Sequence, residues 1–196
     1  MHRQIIFVLL AMFISSAECG ITEQQQAKAY RISAERGDAA SQHNLGVMYM
    51  AGSGVSKSYP EAFKWFTKAA EQGLANSQVN LGSMYKGGLG IRQDNAKAFM
   101  WYKKAALQGH AAGQNNLALM YMLGLGVAHN ASEAALWWHK AARQGHVNAQ
   151  LSLATIYDLG LGVPKNSSEA IKWWQKAAAQ GSLAARDKLK KIGSAQ

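Results

Sequence analysis

Cysteine occurs once in the 196 residues, at Cys19, and proline twice, at Pro60 and Pro164. A single cysteine excludes an internal disulfide framework and a thiolate metal cluster. So little proline, together with 48% hydrophobic residues, excludes a collagen, a proline-rich linker and a disordered chain. Acidic residues are also scarce, 11 against 21 Lys+Arg, which leaves a formal net charge of +10. Long hydrophobic runs are absent. The longest, Ile5 to Ile14, is ten residues, where a membrane-crossing helix needs about twenty.

That run follows Arg3 and precedes the small residues Ser15 and Ala17. A basic start, a short apolar stretch and small residues describe a secretory signal peptide. The expected cut is after Ala17, or after Cys19 with Ala17 and Cys19 at the small positions. A lipoprotein would acylate Cys19, but Glu18 stands where such a site takes a small residue. The expected location is periplasmic or secreted. A cut after Ala17 removes only Arg3 among the Lys, Arg, Asp and Glu residues, so the mature chain stays strongly basic. Basic balance raises nucleic acid as a partner, but export turns the reading towards anionic envelope components, whether lipid headgroups, polysaccharide or an acidic protein.

What the sequence has in abundance is repetition. Gly37, Gly73, Gly109, Gly145 and Gly181 are spaced by 36 residues. Trp65, Trp101, Trp137 and Trp173 keep the same step, as do Tyr49, Tyr85, Tyr121 and Tyr157, and Leu45, Leu81, Leu117 and Leu153. A fixed period of this size marks a repeat architecture. Each unit reads as two helices. In the first unit Leu45, Met48, Tyr49 and Gly52 have the three-and-four spacing of an apolar helix face. The helix stops at Gly52-Ser53-Gly54, matched by Gly88-Leu89-Gly90, Gly124-Leu125-Gly126 and Gly160-Leu161-Gly162. The second helix starts after Ser58, Asp94, Asn130 and Asn166, all good N-cap residues. Glu61, Glu133 and Glu169 stand three residues on, as in a capping box. Ala62, Trp65, Phe66 and Ala69 make its buried stripe, and Lys68, Lys104, Lys140 and Lys176 suit the dipole of its last turn.

The Leu-Gly-x-Met-Tyr stretch, the Gly-x-Gly-Val turn and the Ala-x-x-Trp-aromatic-x-Lys-Ala-Ala-x-Gln-Gly stretch together resemble the Sel-1-like repeat family, relatives of the tetratricopeptide repeat. Unit one carries the pattern on Leu45, Gly46, Met48, Tyr49, Gly52, Gly54, Val55, Ala62, Trp65, Phe66, Lys68, Ala69, Ala70, Gln72 and Gly73. Ala118 and Ala154 depart from it in replacing the first-helix glycine. The resemblance implies an all-α fold, a right-handed αα-superhelical solenoid of four 36-residue helix-turn-helix repeats with capping helices. The expected organisation is a signal peptide over 1–19, an N-terminal capping helix over 20–37, repeats over 38–72, 73–108, 109–144 and 145–180, and a C-terminal capping helix over 181–196. It further implies protein–protein recognition in the bacterial envelope. One form is a non-catalytic scaffold and the other an immunity protein that inhibits a delivered toxin such as a lipase. A branch with one disulfide per repeat is excluded by the missing cysteines.

Comparison of the four units separates scaffold from surface. On the first helix, positions equivalent to 43, 44, 47, 50 and 51 vary freely, and their offsets place them on one face. First helices line the concave side of such solenoids, so the expected groove is formed by His43, Val47, Met50, Asn80, Ser83, Lys86, Asn116, Leu119, Met122, Ser152, Thr155 and Asp158. Exposed Val, Met and Leu beside Asn, Ser and Thr fit an adaptable protein-binding surface.

No enzyme, metal or cofactor is expected. The histidines of the mature chain, His43, His110, His129, His139 and His146, form no His-Glu-x-x-His pattern, and equivalents one repeat apart are too distant to share a metal. Ser83-Met84-Tyr85-Lys86 matches the Ser-x-x-Lys of penicillin-recognising enzymes, but the two further elements of that chemistry are missing from the sequence. The six tryptophans fall on the second helices and read as core rather than as a stacking platform.

Overall fold

The computed structural model describes residues 22–193. The expected leader and its cleavage site lie outside them. Ten helices follow one another: α1 Glu23–Glu35, α2 Ala39–Ala51, α3 Tyr59–Glu71, α4 Ala75–Gly87, α5 Asn95–Leu107, α6 Ala111–Leu123, α7 Ala131–Arg143, α8 Val147–Leu159, α9 Ser167–Ala179 and α10 Leu183–Gly193. No strand occurs among the described residues. Each helix packs on its neighbours in sequence, the arrangement of an αα-solenoid, with α1 and α10 closing the ends. The helix that opens the array buries Ala27 and Ala34, while α10 buries only Ala185 and leaves its lysines outside.

The second helices begin where their caps predict. Backbone N–H groups of Glu61, Lys97, Glu133 and Glu169 donate to the side chains of Ser58, Asp94, Asn130 and Asn166 at 2.9–3.3 Å. The capping box is complete only at Thr22–Gln25 among the described helices. Glu61 and Glu169 turn instead to Lys64 and Lys172, at 3.7 and 2.6 Å. At the first-helix ends, the second turn glycine is required by contact as well as by its left-handed backbone. Gly126 has φ +69°, and a Cβ there would lie 2.3 Å from the carbonyl oxygen of Asn95, the first residue of α5. The turn thus seats each repeat against the start of the preceding second helix.

The core runs along the stack. Leu45, Leu81, Leu117 and Leu153 are buried to within 1% exposure, and Phe66, Tyr102, Trp138 and Trp174 are buried as well. A Cβ on Gly46 or Gly82 would come 2.8 Å from the ring of Phe66 or Tyr102. Where the chain carries Ala118 and Ala154 instead, the facing rings are Trp138 and Trp174, so the two departures from the repeat occur together. The lysines of the last turn do more than answer the helix dipole. Lys68, Lys104, Lys140 and Lys176 stand 4.0–4.6 Å from the rings of Trp65, Trp101, Trp137 and Trp173, within cation–π range.

A ladder of glutamines joins the repeats. Gln42, Gln78, Gln114 and Gln150 are 3–4% exposed. Each donates to the carbonyl of Ala34, Ala70, Ala106 or Ala142 near the end of the preceding helix, at 3.0–3.3 Å. Each accepts from Gln72, Gln108, Gln144 or Gln180 at 2.7–2.9 Å. The amides thereby give a second donor to carbonyls at four helix ends, which already accept from Gly37, Gly73, Gly109 and Gly145 N–H at 3.0–3.1 Å.

Candidate functional site

The first helices α2, α4, α6 and α8 lie side by side, linked by polar contacts that step from repeat to repeat. His43 Nδ1 is 2.9 Å from Ser77 Oγ, and its ring meets Phe66 at 5.6 Å. His110 Nδ1 caps α6 by accepting from Gly113 N–H at 3.3 Å, which leaves the proton on Nε2 to be donated to Asn76 Oδ1 at 2.7 Å. His146 caps α8 in the same way, accepting from Ala149 N–H. Burial pushes all three imidazoles below the usual histidine range, and the neighbouring His110 lowers His146 further. These histidines are therefore neutral structural groups. No set of three metal-ligating side chains comes together among the described residues.

The expected groove residues divide by depth. Val47, at 37%, and Thr155 are exposed. His43, Met50, Asn80, Ser83, Lys86, Asn116, Leu119, Met122, Ser152 and Asp158 are half-buried. Leu119 and Met122 lean on the core cluster of the third and fourth repeats, and Met50 on that of the first and second. Helices α4 and α8 hold two of the polar groups to themselves: Ser83 Oγ donates to Val79 O at 3.0 Å, and Thr155 Oγ1 to Leu151 O at 2.9 Å. Ser83 Oγ also lies 3.0 Å from the hydroxyl of Tyr102, whose pKa burial raises, and makes no hydrogen bond with Lys86. The Ser-x-x-Lys pair thus supplies no base to its hydroxyl.

One row of this face runs through positions 40, 44, 47 and 51 of the first repeat and their equivalents, a stripe at helical spacing, and the position of Ala51 is exposed in all four repeats. It brings forward residues outside the expected groove set. Leu123 is 57% and Leu159 59% exposed, one repeat apart at the ends of α6 and α8. Their signal in the sequence is an apolar residue just before the turn glycine, where the first two repeats have Ala51 and Gly87. No helix of the described residues is long and apolar enough to cross a membrane.

Comparison with known proteins agrees with this architecture. The model of the Sel1 repeat matches four times, over residues 39–74, 75–110, 111–146 and 147–182. A crystal structure of a protective antigen present in uropathogenic Escherichia coli strains is 36% identical, with a TM-score of 0.85, over 95% of this chain and 40% of that one. A Sel1 repeat protein from Oxalobacter formigenes is 34% identical, with a TM-score of 0.78, over 87% of this chain and 49% of that one. The chain thus spans less than half the length of either. An immunity protein from Pseudomonas aeruginosa shares the fold at 23% identity and a TM-score of 0.56, over 81% of this chain and 58% of that one. Among curated proteins none matches. Sel1 repeat proteins are protein-interaction scaffolds, and by its four matched repeats and its αα-solenoid this chain belongs to the Sel1 repeat family.

Proposed function

We propose that the chain is a non-catalytic scaffold of the bacterial cell envelope that binds a protein or peptide across the face of its first helices. The observation that carries this reading is the outer stripe, where Val47, Leu123 and Leu159 are exposed between polar neighbours such as Asn44, Asn80 and Thr155. Apolar residues spaced by a repeat on one face fit the centre of an interface rather than a solvated surface. On this reading a leader over 1–19 would export it to the periplasm or outside the cell, where its basic charge suits anionic envelope components as neighbours. A second reading is a periplasmic inhibitor of a delivered toxin, such as a lipase effector. It rests on the fold shared with the Pseudomonas aeruginosa immunity proteins.

Affinity capture from envelope extract with the mature chain, run beside a Leu123→Glu, Leu159→Lys variant, tests both readings. A multi-protein envelope complex lost with the variant supports the scaffold; a single toxin lost with it supports the inhibitor. Equal recovery by both forms rejects the face. Intact-mass measurement of the exported protein tests the location: it should begin at Glu18 or Gly20 without a lipid on Cys19.

A further inference from the structure

By register, one position on α1, α3, α5 and α7 stands opposite the tyrosine of the first helix that follows. These positions are Ala27, Phe63, Phe99 and Ala135, and the tyrosines opposite them are Tyr49, Tyr85, Tyr121 and Tyr157. Two of these meetings are ring on ring. Phe63 stands edge-on to Tyr85 at 5.4 Å and 84°, and Phe99 edge-on to Tyr121 at 5.2 Å and 90°. At the first, where Ala27 is too small, Arg31 covers the ring: its guanidinium is 5.9 Å from the Tyr49 centroid and donates to the hydroxyl. The last meeting is left open. Ala135 puts only a methyl group towards Tyr157. His139, which stands where α1 has Arg31, turns its ring to Trp173 at 5.8 Å. Among the described residues the ring of Tyr157 meets neither an aromatic ring nor a cation.

Beside Tyr157 lies an open cleft of about 400 Å³ lined by Ser132, Ala135, Leu136, His139, Tyr157 and Val163, with Gly162 at its edge. Apart from Ser132, whose hydroxyl donates to Gly162 O at 3.0 Å, its rim is apolar and carries no charge. Leu136 is 57% exposed where the first and fourth repeats carry Lys64 and Lys172, and Leu161, in the turn beside Gly162, is 43% exposed. A charged rim would hold water over the cleft; here the rim adds contact area for an apolar guest.

We infer that this cleft is a socket for one phenylalanine side chain of a bound polypeptide, seated edge-on against Tyr157 as Phe63 and Phe99 are seated against Tyr85 and Tyr121. The occupant is read from the array itself, which builds the same seat twice and fills it twice with phenylalanine. An aromatic ring in a desolvated socket with an apolar rim is the usual form of an interface anchor. That the ring belongs to a polypeptide rests on the scaffold reading; that the socket accepts a phenyl ring does not.

The test uses the mature chain and N-acetyl-phenylalaninamide as the probe, with N-acetyl-alaninamide and N-acetyl-lysinamide as controls, followed by NMR of the Ala135 methyl, Leu136, Val163 and the Tyr157 ring. The phenyl probe should give saturable shifts confined to these groups, in the millimolar range expected of one side chain, at least tenfold tighter than either control. Ala135→Phe should fill the seat, leave the melting temperature equal or higher, and remove the shifts. Leu136→Lys, a surface change that restores the residue type of the first and fourth repeats, should weaken the probe several-fold without touching the seat, and it decides the matter if Ala135→Phe folds poorly. Equal binding of the controls, or shifts that persist in both variants, would overturn the socket. Such a result would leave the first-helix face untouched, since Leu123 and Leu159 do not line the cleft. Loss of partner capture on changing those two leucines, with the probe still bound, separates the proposals in the other direction.

Discussion

Gln144 donates its side-chain amide to Gln114 across 2.8 Å, and Gln114 passes its own amide on to the carbonyl of Ala106 at 3.3 Å. The two partners are unequal. Gln114 is 4% exposed, whereas Gln144 lies open to solvent. Removing the buried member breaks both of these hydrogen bonds, at about 0.5–1.5 kcal/mol each, although Ala106 O keeps the Gly109 N–H at 3.0 Å. Removing the exposed member leaves Gln114 within reach of water. Gln114→Leu should therefore lower the urea midpoint clearly, and Gln144→Ala should cost less than about 1 kcal/mol. Equal losses would show that the ladder is not a set of buried caps.

Much of this architecture is legible in the sequence. The 36-residue step, the paired helices, the turn glycines, the polar caps of the second helices and the Trp-bearing stripe all follow from residue types that act locally. The buried glutamines are not, because a glutamine on a helix counts as surface until its acceptor, an alanine carbonyl eight residues back across a turn, is known. A signal is present all the same: Gln42, Gln78, Gln114 and Gln150 recur without exception beside positions that vary. The depth of the variable face is also beyond the sequence. Leu119 and Leu123 look alike on a helical wheel, and only the neighbouring repeat makes one half-buried and the other free.

Two glycines with the same left-handed backbone should respond differently to alanine. Gly109, at φ +85°, has open space for 4 Å around the place a Cβ would occupy, so Gly109→Ala carries only the left-handed penalty of about 1–2 kcal/mol. Gly126 at φ +69° carries that penalty and must also push the start of α5 away, since its Cβ would sit 2.3 Å from Asn95 O. Chemical denaturation should show Gly126→Ala as the more damaging of the two by a clear margin. Similar losses would mean that the turn does not clamp successive repeats.

Acid should weaken the array through its histidine caps. His43, His110 and His146 have folded pKa values below the ordinary 6.5 because burial disfavours their charged forms. The unfolded chain therefore takes up more protons as the pH falls through 6.5, and stability is lost from there down through the folded values. The loss has a structural face at His110 and His146: protonation occupies the Nδ1 that accepts from the helix backbone and places a positive charge at a helix N-terminus. Asp38 holds the equivalent place on α2, accepting from Ser41 N–H at 2.7 Å. Melting temperature should fall between about pH 7 and pH 5, and His110→Asp, His146→Asp should flatten that fall. An unchanged slope in the double variant would remove the caps from the account.

The division of the first-helix face by depth makes its own prediction. Leu119 and Met122 are half-buried against the core of the third and fourth repeats, so Leu119→Glu with Met122→Lys buries charge at the seam between repeats. Such changes cost about 1–3 kcal/mol, visible as a drop of several degrees in melting temperature. Leu123→Glu with Leu159→Lys also keeps the net charge constant, but these side chains are 57% and 59% exposed. Away from core contacts a surface change stays within about 0.5 kcal/mol, so the helical circular-dichroism spectrum and the melting temperature should hold. If the outer stripe is the centre of the interface, this second variant loses partner binding by about 2 kcal/mol or more while remaining as stable as the parent. Destabilisation by the outer pair would place Leu123 and Leu159 in the structural core, and full binding by a folded outer variant would move the interface off the first helices altogether.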